Sequence, residues 1–360
     1  MKKILWILIG LYPVAIYAEP YIAIREGLKC SACHVNRTGG GKRTQMGSGY
    51  GTQALPWIKM NALTGKKVPH YWSVLDDLLS VGGDFRFSNQ TTLVEHDTAN
   101  TFQTDKGNLY LSVKPIPDVL SLYVDESVAP GGAQSREIFG MLEAMPAHGW
   151  IKAGRFILPY GIRLEDDRAF IREVTGFNFN NPDAGVEVGF EPGPFSIVTS
   201  ITNGTGTALD NNASKQFVGS ISYVADSFRA GASGSYNPSD AGDRNSAGLW
   251  GGFKIWSAVL LGEIDFVHDD VPGANDRDRF VAHAELDYLV AEGWNIKAAY
   301  EFYDPDRNID ENERDRVLIG VEPFIIPFLQ VGVYYRFNQS IPQNNPQNAD
   351  ELTFRVHVYF

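Results

Sequence analysis

The chain has 360 residues, a formal net charge of −12 and two cysteines. Two cysteines cannot hold a chain of this length together, and a mean hydropathy of −0.19 argues against a bundle of membrane helices. Because 43 Asp and Glu outnumber 31 Lys and Arg, the chain would repel phosphates, so no nucleic acid is expected as a partner.

Residues 1–18 have the pattern of an export signal. Two lysines precede an apolar run from Ile4 to Leu11, which is too short to span a bilayer, and the segment ends at Ala18. We therefore expect cleavage after Ala18, which changes the formal charge from −12 to −14 because both lysines are removed. An uncleaved anchor helix is the alternative, and the length of the apolar run argues against it.

Both cysteines fall in one short motif, Cys30-Ser31-Ala32-Cys33-His34. With this spacing the two thiols reach the two vinyl groups of a haem, and the adjacent imidazole can ligate the iron. Export also places the chain where c-type haem is attached. The motif therefore predicts one covalent haem c, held by Cys30, Cys33 and His34. A small disulfide or a thioredoxin-like redox pair is the alternative, but no βαβ pattern surrounds the motif.

The second axial position of the iron has three candidates in the same segment. Met46 follows the glycine run 39–41 and a basic pair, in a loop that could fold over a haem face. Met60 and His70 are alternatives, and an open coordination site is a fourth possibility. The glycine run is not a phosphate loop, because it lacks the Ser or Thr after the lysine and the second spaced glycine.

Beyond residue 77 the chain becomes a series of short alternating segments separated by Gly, Pro, Asn and Asp. In 329–337 and 352–360, apolar and polar residues alternate with a period of two, which predicts strands with one apolar face. Seven short connections alternate with eight long polar ones, which predicts sixteen strands with both barrel ends on the short-turn side. We therefore expect an all-β fold, a transmembrane antiparallel β-barrel of about sixteen strands, with a soluble β-sandwich as the alternative.

A barrel of this size has an aqueous lumen unless something fills it. Residues 19–76 are too few to bury a large core alone, so we expect this haem segment to plug or cap the lumen of a barrel formed by 77–360. The connection near 159–183 could fold into the barrel against the haem segment, or could form an outer loop.

Two further features of the barrel are candidates for function. His283 and His357 face inward by parity and could reach a haem, although inward histidines more often line a polar lumen. The acidic stretch 304–315 faintly resembles a calcium loop, but Ile309 stands where that loop needs glycine. Calcium binding, capture of Fe²⁺ or another cation, and an ordinary solvated loop are all open for this stretch.

With these motifs the chain resembles an outer-membrane fusion of a monohaem cytochrome c with a porin. It is similar in plan to monohaem porins that have been proposed as ferrous-iron oxidases. The likeness covers the mature chain in architecture, but only residues 25–34 carry specific features, and the glycine run 39–41 departs from the family. The terminal Phe360 also resembles the terminal aromatic residue that barrel-insertion machinery reads in outer-membrane proteins.

The combined prediction is an outer-membrane electron carrier that passes electrons between the periplasm and the cell exterior. We expect a periplasmic cytochrome or another soluble redox protein on the short-turn side, and a metal ion, a mineral or a redox protein outside. Outer-membrane lipid surrounds the barrel. An enzymatic role, as a metal-ion oxidoreductase or a peroxidase, is open. The alternative function is a porin for small solutes, with the haem segment as a structural plug or sensor.

Overall fold

The structure is a computed structural model that describes residues 19–65, 69, 71–75, 77–94, 97–206, 210, 212–239, 242–270, 272–273, 275–339 and 348–360. The predicted export signal and His70 lie outside the described residues. The described helices are short, and none of them is long and apolar enough to cross a membrane. They are α1 (Pro20–Glu26), α2 (Cys30–Cys33), α3 (Gln45–Gln53), α4 (Met60–Thr64) and α5 (Phe170–Glu173).

Strands make up most of the remaining described chain. In order they are β1 (Trp72–Val74), β2 (Leu79–Val94), β3 (Asp97–Ile116), β4 (Leu120–Ala129), β5 (Gln134–Met145), β6 (Gly149–Phe156), β7 (Asp183–Phe190), β8 (Phe195–Thr202), β9 (Gln216–Val224), β10 (Phe228–Asn237), β11 (Arg244–Ile255), β12 (Ala258–Asp269), β13 (Arg277–Ala291), β14 (Trp294–Asp304), β15 (Arg314–Ile326), β16 (Leu329–Gln339) and β17 (Asp350–Tyr359).

The strands β2 to β17 form one closed antiparallel barrel. Each strand pairs with its neighbours in the sequence, and β17 pairs with β2 in a register that places Tyr359 opposite Asp84. The short strand β1 adds to the start of β2. The predicted barrel of sixteen strands is therefore confirmed, and both of its terminal strands meet at the short-turn end.

The connections follow the predicted alternation, with one difference. The short turns are 117–119, 146–148, 191–194, 225–227, 256–257, 292–293 and 327–328. The predicted loop 91–107 is wrong, because β2 runs to Val94 and β3 starts at Asp97. Polar side chains there stabilise an extended hairpin, for example through hydrogen bonds between Asn89 and Asn100 of 2.9 and 3.0 Å.

The alternation of apolar and polar residues gives the barrel two different faces. In β8, Ile197 and Ile201 are exposed on the outside, whereas Ser200 and Thr202 are buried inside. Other large apolar side chains on the outer face are Ile138, Phe217, Ile221, Leu249, Phe253, Leu260 and Phe354. An apolar outer face around a polar interior is the pattern of a barrel in a lipid bilayer.

The N-terminal segment lies inside the barrel, at the short-turn end. Helix α1 packs against β10, β11 and β12, and its Tyr21 and Ile22 are fully buried. The Lys29 ammonium donates to the carbonyl of Gly193 at 2.8 Å, and the Trp57 amide donates to the carbonyl of Phe324 at 2.9 Å. Both acceptors lie in or beside short turns, so residues 19–65 occupy this half of the lumen.

The connection 157–182 also folds into the lumen and is not an outer loop. Its apolar residues Ile157, Leu158 and Ile162 are buried. The Ile162 amide donates to Glu263 of β12 at 2.6 Å, and Glu165 forms an ion pair of 2.8 Å with Arg86 of β2. Because buried apolar side chains and ion pairs hold it on two sides, this connection divides the lumen into a short-turn half and a long-loop half.

Candidate functional site

The predicted haem motif lies in the short-turn half of the lumen. Cys30 to Cys33 form the single turn of α2, and the His34 amide closes it with a 3.0 Å hydrogen bond to the Cys30 carbonyl. Both thiols are free, Cys30 half-buried and Cys33 buried. This turn places the two thiols and the His34 ring against the same cavity.

The glycine run after the motif forms the tight turn that brings the chain back to it. The φ angles of Gly39, Gly40 and Gly41 are +95°, +78° and +63°, a conformation that favours glycine. The Val35 amide then donates to the Lys42 carbonyl at 3.0 Å. A Cβ on Gly40 would lie 2.9 Å from the Phe179 ring, and one on Gly41 would overlap the Tyr123 hydroxyl. The glycine run therefore has a structural role. The sequence showed only that the run departs from the family pattern and did not indicate this role.

Hydrogen bonds from the barrel wall hold the motif in place. Ser31, between the two cysteines, donates to Glu191 at 2.8 Å. Asn36 donates to Glu137 at 2.8 Å and accepts from Lys152 at 2.9 Å. These bonds join the motif to residues of two strands and one short turn that are more than a hundred positions away, so the motif is positioned by the barrel.

The cavity beside the motif has the lining of a cofactor site. It is lined by residues of the N-terminal segment, the inward connection 157–182 and strands β8 to β11. Pockets for small molecules and cofactors commonly have a mainly apolar lining. Its apolar wall is formed by Ile24, Leu28, Ile162, Phe179, Val198 and Trp250, and its charged residues include Lys29, Arg163 and Arg229.

The state of His34 suits a metal ligand. Its side chain is buried, and neither ring nitrogen has a hydrogen-bond partner of good geometry among the described residues. Burial and, to a smaller extent, the charge of Arg43 together lower the pKa of His34 to about 4, so the imidazole is neutral at pH 7. A buried imidazole without a partner is costly, and neutral imidazole is the form that binds iron. The residues present therefore fit a covalent haem.

The candidates for the second axial ligand do not line this cavity among the described residues. Met46 lies in the first turn of α3 and its side chain is 48% exposed, and Met60 begins α4. The structure places Met46 on a helix, whereas the sequence suggested a loop over the haem face. His70 lies outside the described residues. The distal ligand stays a prediction.

A second cavity, of about 2100 Å³, occupies the long-loop half of the lumen. His283 and His357 line it, which confirms that both face inward. Its charged side chains are largely paired with carboxylates of the same strand, of a neighbouring strand or of the inward connection: Arg86 with Asp84, Arg336 with Asp166, Arg316 with Glu301, and Lys297 with Glu285. Glu165 lines both cavities, so the inward connection separates them.

The acidic stretch 304–315 shows the features of a solvated loop. Its side chains bond within the loop, as when the Asp306 amide donates to Asp304 at 3.1 Å. Within the described part of the chain, no group of three or more His, Cys, Asp or Glu residues is placed to hold a metal ion.

Sequence reasoning missed several residues that line the cavity. Arg229 and Trp250 come from neighbouring strands, and Tyr160 and Phe179 come from the two ends of the inward connection. Parity within β10 puts Arg229 on the inward face, but nothing in the sequence pairs it with Cys30, which is 199 positions away. Only the closure of the barrel brings these residues together.

No family model matches the chain, and no curated protein sequence matches it. Solved structures do match. A loop-deletion mutant of OmpT, an outer membrane protein of Vibrio cholerae, has a TM-score of 0.62 at 15% identity, covering 78% of this chain and 99% of that one. The anion-selective porin from Comamonas acidovorans has a TM-score of 0.60 at 11% identity, covering 78% and 99%. OprB of Pseudomonas putida has a TM-score of 0.64 at 9% identity, covering 79% and 95%.

These similarities concern the fold, because all three identities are far below 25%. They agree with the closed barrel and with the apolar outer face, and together these observations support the predicted outer-membrane location. About a fifth of this chain has no counterpart in the matched structures. The chain therefore has the fold of an outer-membrane porin, a closed barrel of sixteen antiparallel strands.

Proposed function

We propose that this protein is an outer-membrane electron carrier with one covalent haem c in the short-turn half of its barrel. The observation that carries the proposal is the convergence of three residues on one cavity inside the lumen: Cys30, Cys33 and a buried His34. The His34 ring nitrogens have no hydrogen-bond partner of good geometry among the described residues. A disulfide or a thioredoxin-like pair would require neither the imidazole nor a mainly apolar cavity beside the thiols.

Each residue of the site has a distinct role in this proposal. Cys30 and Cys33 would form the thioethers, and His34 would ligate the iron. The apolar wall, with Val198 and Trp250, excludes water. When bound, the haem supplies one-electron oxidation and reduction. The barrel bonds to Ser31 and Asn36 hold the motif at a fixed depth.

The position of the site suggests the partners. Lys29, directly before the motif, reaches the short turn at Gly193, so the site lies near the periplasmic end of the barrel. A periplasmic cytochrome or another soluble redox protein approaches from this end. A metal ion, a mineral or another redox protein exchanges electrons at the long-loop end, across the cavity of about 2100 Å³. The apolar band of such a barrel is about 25 Å tall, so a haem inside the lumen shortens the gap that electrons must cross.

The test starts with the full chain, expressed with a working haem-attachment system and extracted from the outer-membrane fraction. We expect a reduced pyridine-haemochrome spectrum that corresponds to one c-type haem per chain, and haem staining that survives a denaturing gel. Cys30→Ser/Cys33→Ser should lose both signals. Ser31→Ala, which removes only the bond to Glu191, should keep both. The absence of covalent haem in the unchanged protein would refute the proposal.

Electron transfer is tested in vesicles that contain the protein and enclose a reduced dye. Ferricyanide outside should oxidise the dye when the haem-loaded protein is present, and should not when Cys30→Ser/Cys33→Ser replaces it. Equal oxidation by both proteins would show that the dye or the oxidant leaks through the barrel.

The second candidate function is a porin for small solutes, with the N-terminal segment as a plug or sensor. The structural comparisons support this function more directly, because one matched structure is named as an anion-selective porin. The large charged cavity in the long-loop half also suits it.

Planar-bilayer conductance distinguishes the two functions. We expect the intact protein to conduct little, because residues 19–65 bond to the wall on several sides. Deletion of residues 19–65 should raise the conductance clearly, although the connection 157–182 still narrows the lumen. High conductance of the intact protein would contradict the electron-carrier proposal and favour the porin.

A further inference from the structure

The cavity contains a barrel arginine that lies directly beside the haem-attachment motif. Arg229, the second residue of β10, places one guanidinium nitrogen 3.6 Å from the Cys30 sulfur. Its guanidinium carbon lies 5.1 Å from the centre of the Trp250 ring. Its other terminal nitrogen is 3.5 Å from the Ser222 hydroxyl, and its buried Nε has no hydrogen-bond partner among the described residues. These contacts hold the Arg229 side chain in place, but they use its hydrogen-bonding capacity only in part.

No carboxylate of the described residues forms an ion pair with Arg229, whereas Arg86, Arg316 and Lys152 each pair with a carboxylate of the wall. Lys29 and Arg163, which line the same cavity, also lack an ion pair there, but they donate to backbone carbonyls at 2.8 and 2.6 Å. The protein is strongly acidic, with 43 Asp and Glu, so carboxylates are not scarce. A half-buried cation without a counter-charge is unfavourable on its own, which indicates a role in the site.

The charges around Arg229 do not cancel its effect. Lys29 is close enough for repulsion between the two cations and adds to the positive charge. Glu191 is the nearby carboxylate, and its oxygens accept from the Ser31 hydroxyl at 2.8 and 3.1 Å. The edge of the cavity beside Cys30 therefore carries two cations against one carboxylate.

We propose that Arg229 is the residue that raises the reduction potential of the site, by stabilising its reduced state. The inference rests on the proposed haem function. Reduction from ferric to ferrous adds one electron and moves no atom, so the net charge of the site falls by one. A neighbouring cation lowers the energy of the more negative state, and partial burial limits screening by salt. Stacking on Trp250 explains why arginine occupies this position, since a lysine ammonium lacks the planar face.

The experiment is a spectroelectrochemical titration of the haem-loaded full chain in detergent. Arg229→Gln should keep one covalent haem and should lower the equilibrium constant for reduction about tenfold, which corresponds to about 59 mV for one electron. Arg229→Lys should keep most of the potential of the unchanged protein. Arg277→Gln, which removes an exposed charge at the long-loop end, is the control for net charge and should leave the potential unchanged.

The outcomes separate this inference from the proposed function. A potential in Arg229→Gln equal to that of the unchanged protein, with haem present, would overturn the role of Arg229 and leave the haem function standing. No covalent haem in the unchanged protein would overturn both. Arg229→Met is the second neutral variant, and loss of haem in both neutral variants would assign Arg229 a structural role and refute the proposal.

Discussion

The two halves of the lumen differ in how their charges are balanced. In the long-loop half, cations and carboxylates of the wall and the inward connection pair closely, as in the ion pairs of Arg86 with Asp84 and Glu165. In the short-turn half, an apolar wall and three cations without an ion pair among the described residues, Lys29, Arg163 and Arg229, line the cavity beside the predicted haem motif. The first half suits water and ions, and the second suits a bound group that is itself charged.

The chain also divides its net charge between the two parts that meet in the lumen. Residues 19–65 carry six Lys or Arg and two Glu, whereas residues 77–360 carry 21 Lys or Arg and 40 Asp or Glu. A basic segment inside an acidic barrel is held by long-range attraction as well as by its individual hydrogen bonds. This difference explains why a segment too short to fold alone lies in a defined position.

The largest expected effect comes from the buried contact between the two parts. Lys152 pairs with Glu187 at 2.7 Å, with both side chains fully buried, and also donates to Asn36. Lys152→Met leaves Glu187 as an uncompensated charge and should lower the free energy of unfolding by about 3–5 kcal/mol. Urea unfolding followed by tryptophan fluorescence measures this free energy.

Lys215→Met is the control. It removes an exposed pair with Asp210 and should lower the free energy of unfolding by about 0–1 kcal/mol. An equal loss of unfolding free energy in both variants would show that the buried contact of Lys152 does not stabilise the protein more than an exposed ion pair does.

A smaller effect is expected at the glycine run. Gly41→Ala places a Cβ against the Tyr123 hydroxyl and forces alanine into φ +63°, so the turn after the haem motif must shift. Gly65→Ala is the matched control, because Gly65 has φ +66° with nothing within 4 Å of the added atom. The control should show only the backbone cost of about 1–2 kcal/mol. We expect faster tryptic cleavage after Lys42 or Arg43 in Gly41→Ala than in the control, and identical rates would contradict the tight packing.

The inward connection should respond more weakly to the loss of one ion pair. Arg336→Gln removes the partner of Asp166, but Arg168 and Arg316 act on the same carboxylate, so we expect a loss of about 1 kcal/mol or less. The reduction potential should stay constant, because the pair lies in the long-loop half. A change in potential as large as that expected for Arg229→Gln would show that the two halves are not independent.

The smallest effect is expected for the methionine that the sequence favoured as distal ligand. Met46 is 48% exposed and does not line the cavity, so Met46→Ala should leave the visible spectrum of the haem-loaded protein unchanged. Met60→Ala and His70→Ala are the comparison variants. Loss of a low-spin spectrum in Met46→Ala alone would show that α3 rearranges when haem binds.

The sequence was a good guide wherever the signal is local. The period of two in 329–337 and 352–360, and the seven short turns, were enough to predict a sixteen-stranded barrel with both ends on one side. The hairpin at 91–107 was mispredicted because its polar residues resemble a loop, although they pair across two strands. The inward direction of 157–182 was left open, since a connection rich in charge can face either water or a charged wall.

The sequence by itself determined the strand order, the two faces of the barrel and the three residues expected to hold haem, because these depend on periodicity and on spacing within a few residues. Tertiary structure alone decided which half of the lumen contains the motif, that Met46 lies away from the cavity, and that Arg229 and Trp250 lie beside Cys30. These positions arise when β17 pairs with β2 and the closed wall surrounds the N-terminal segment, which brings together residues about two hundred positions apart.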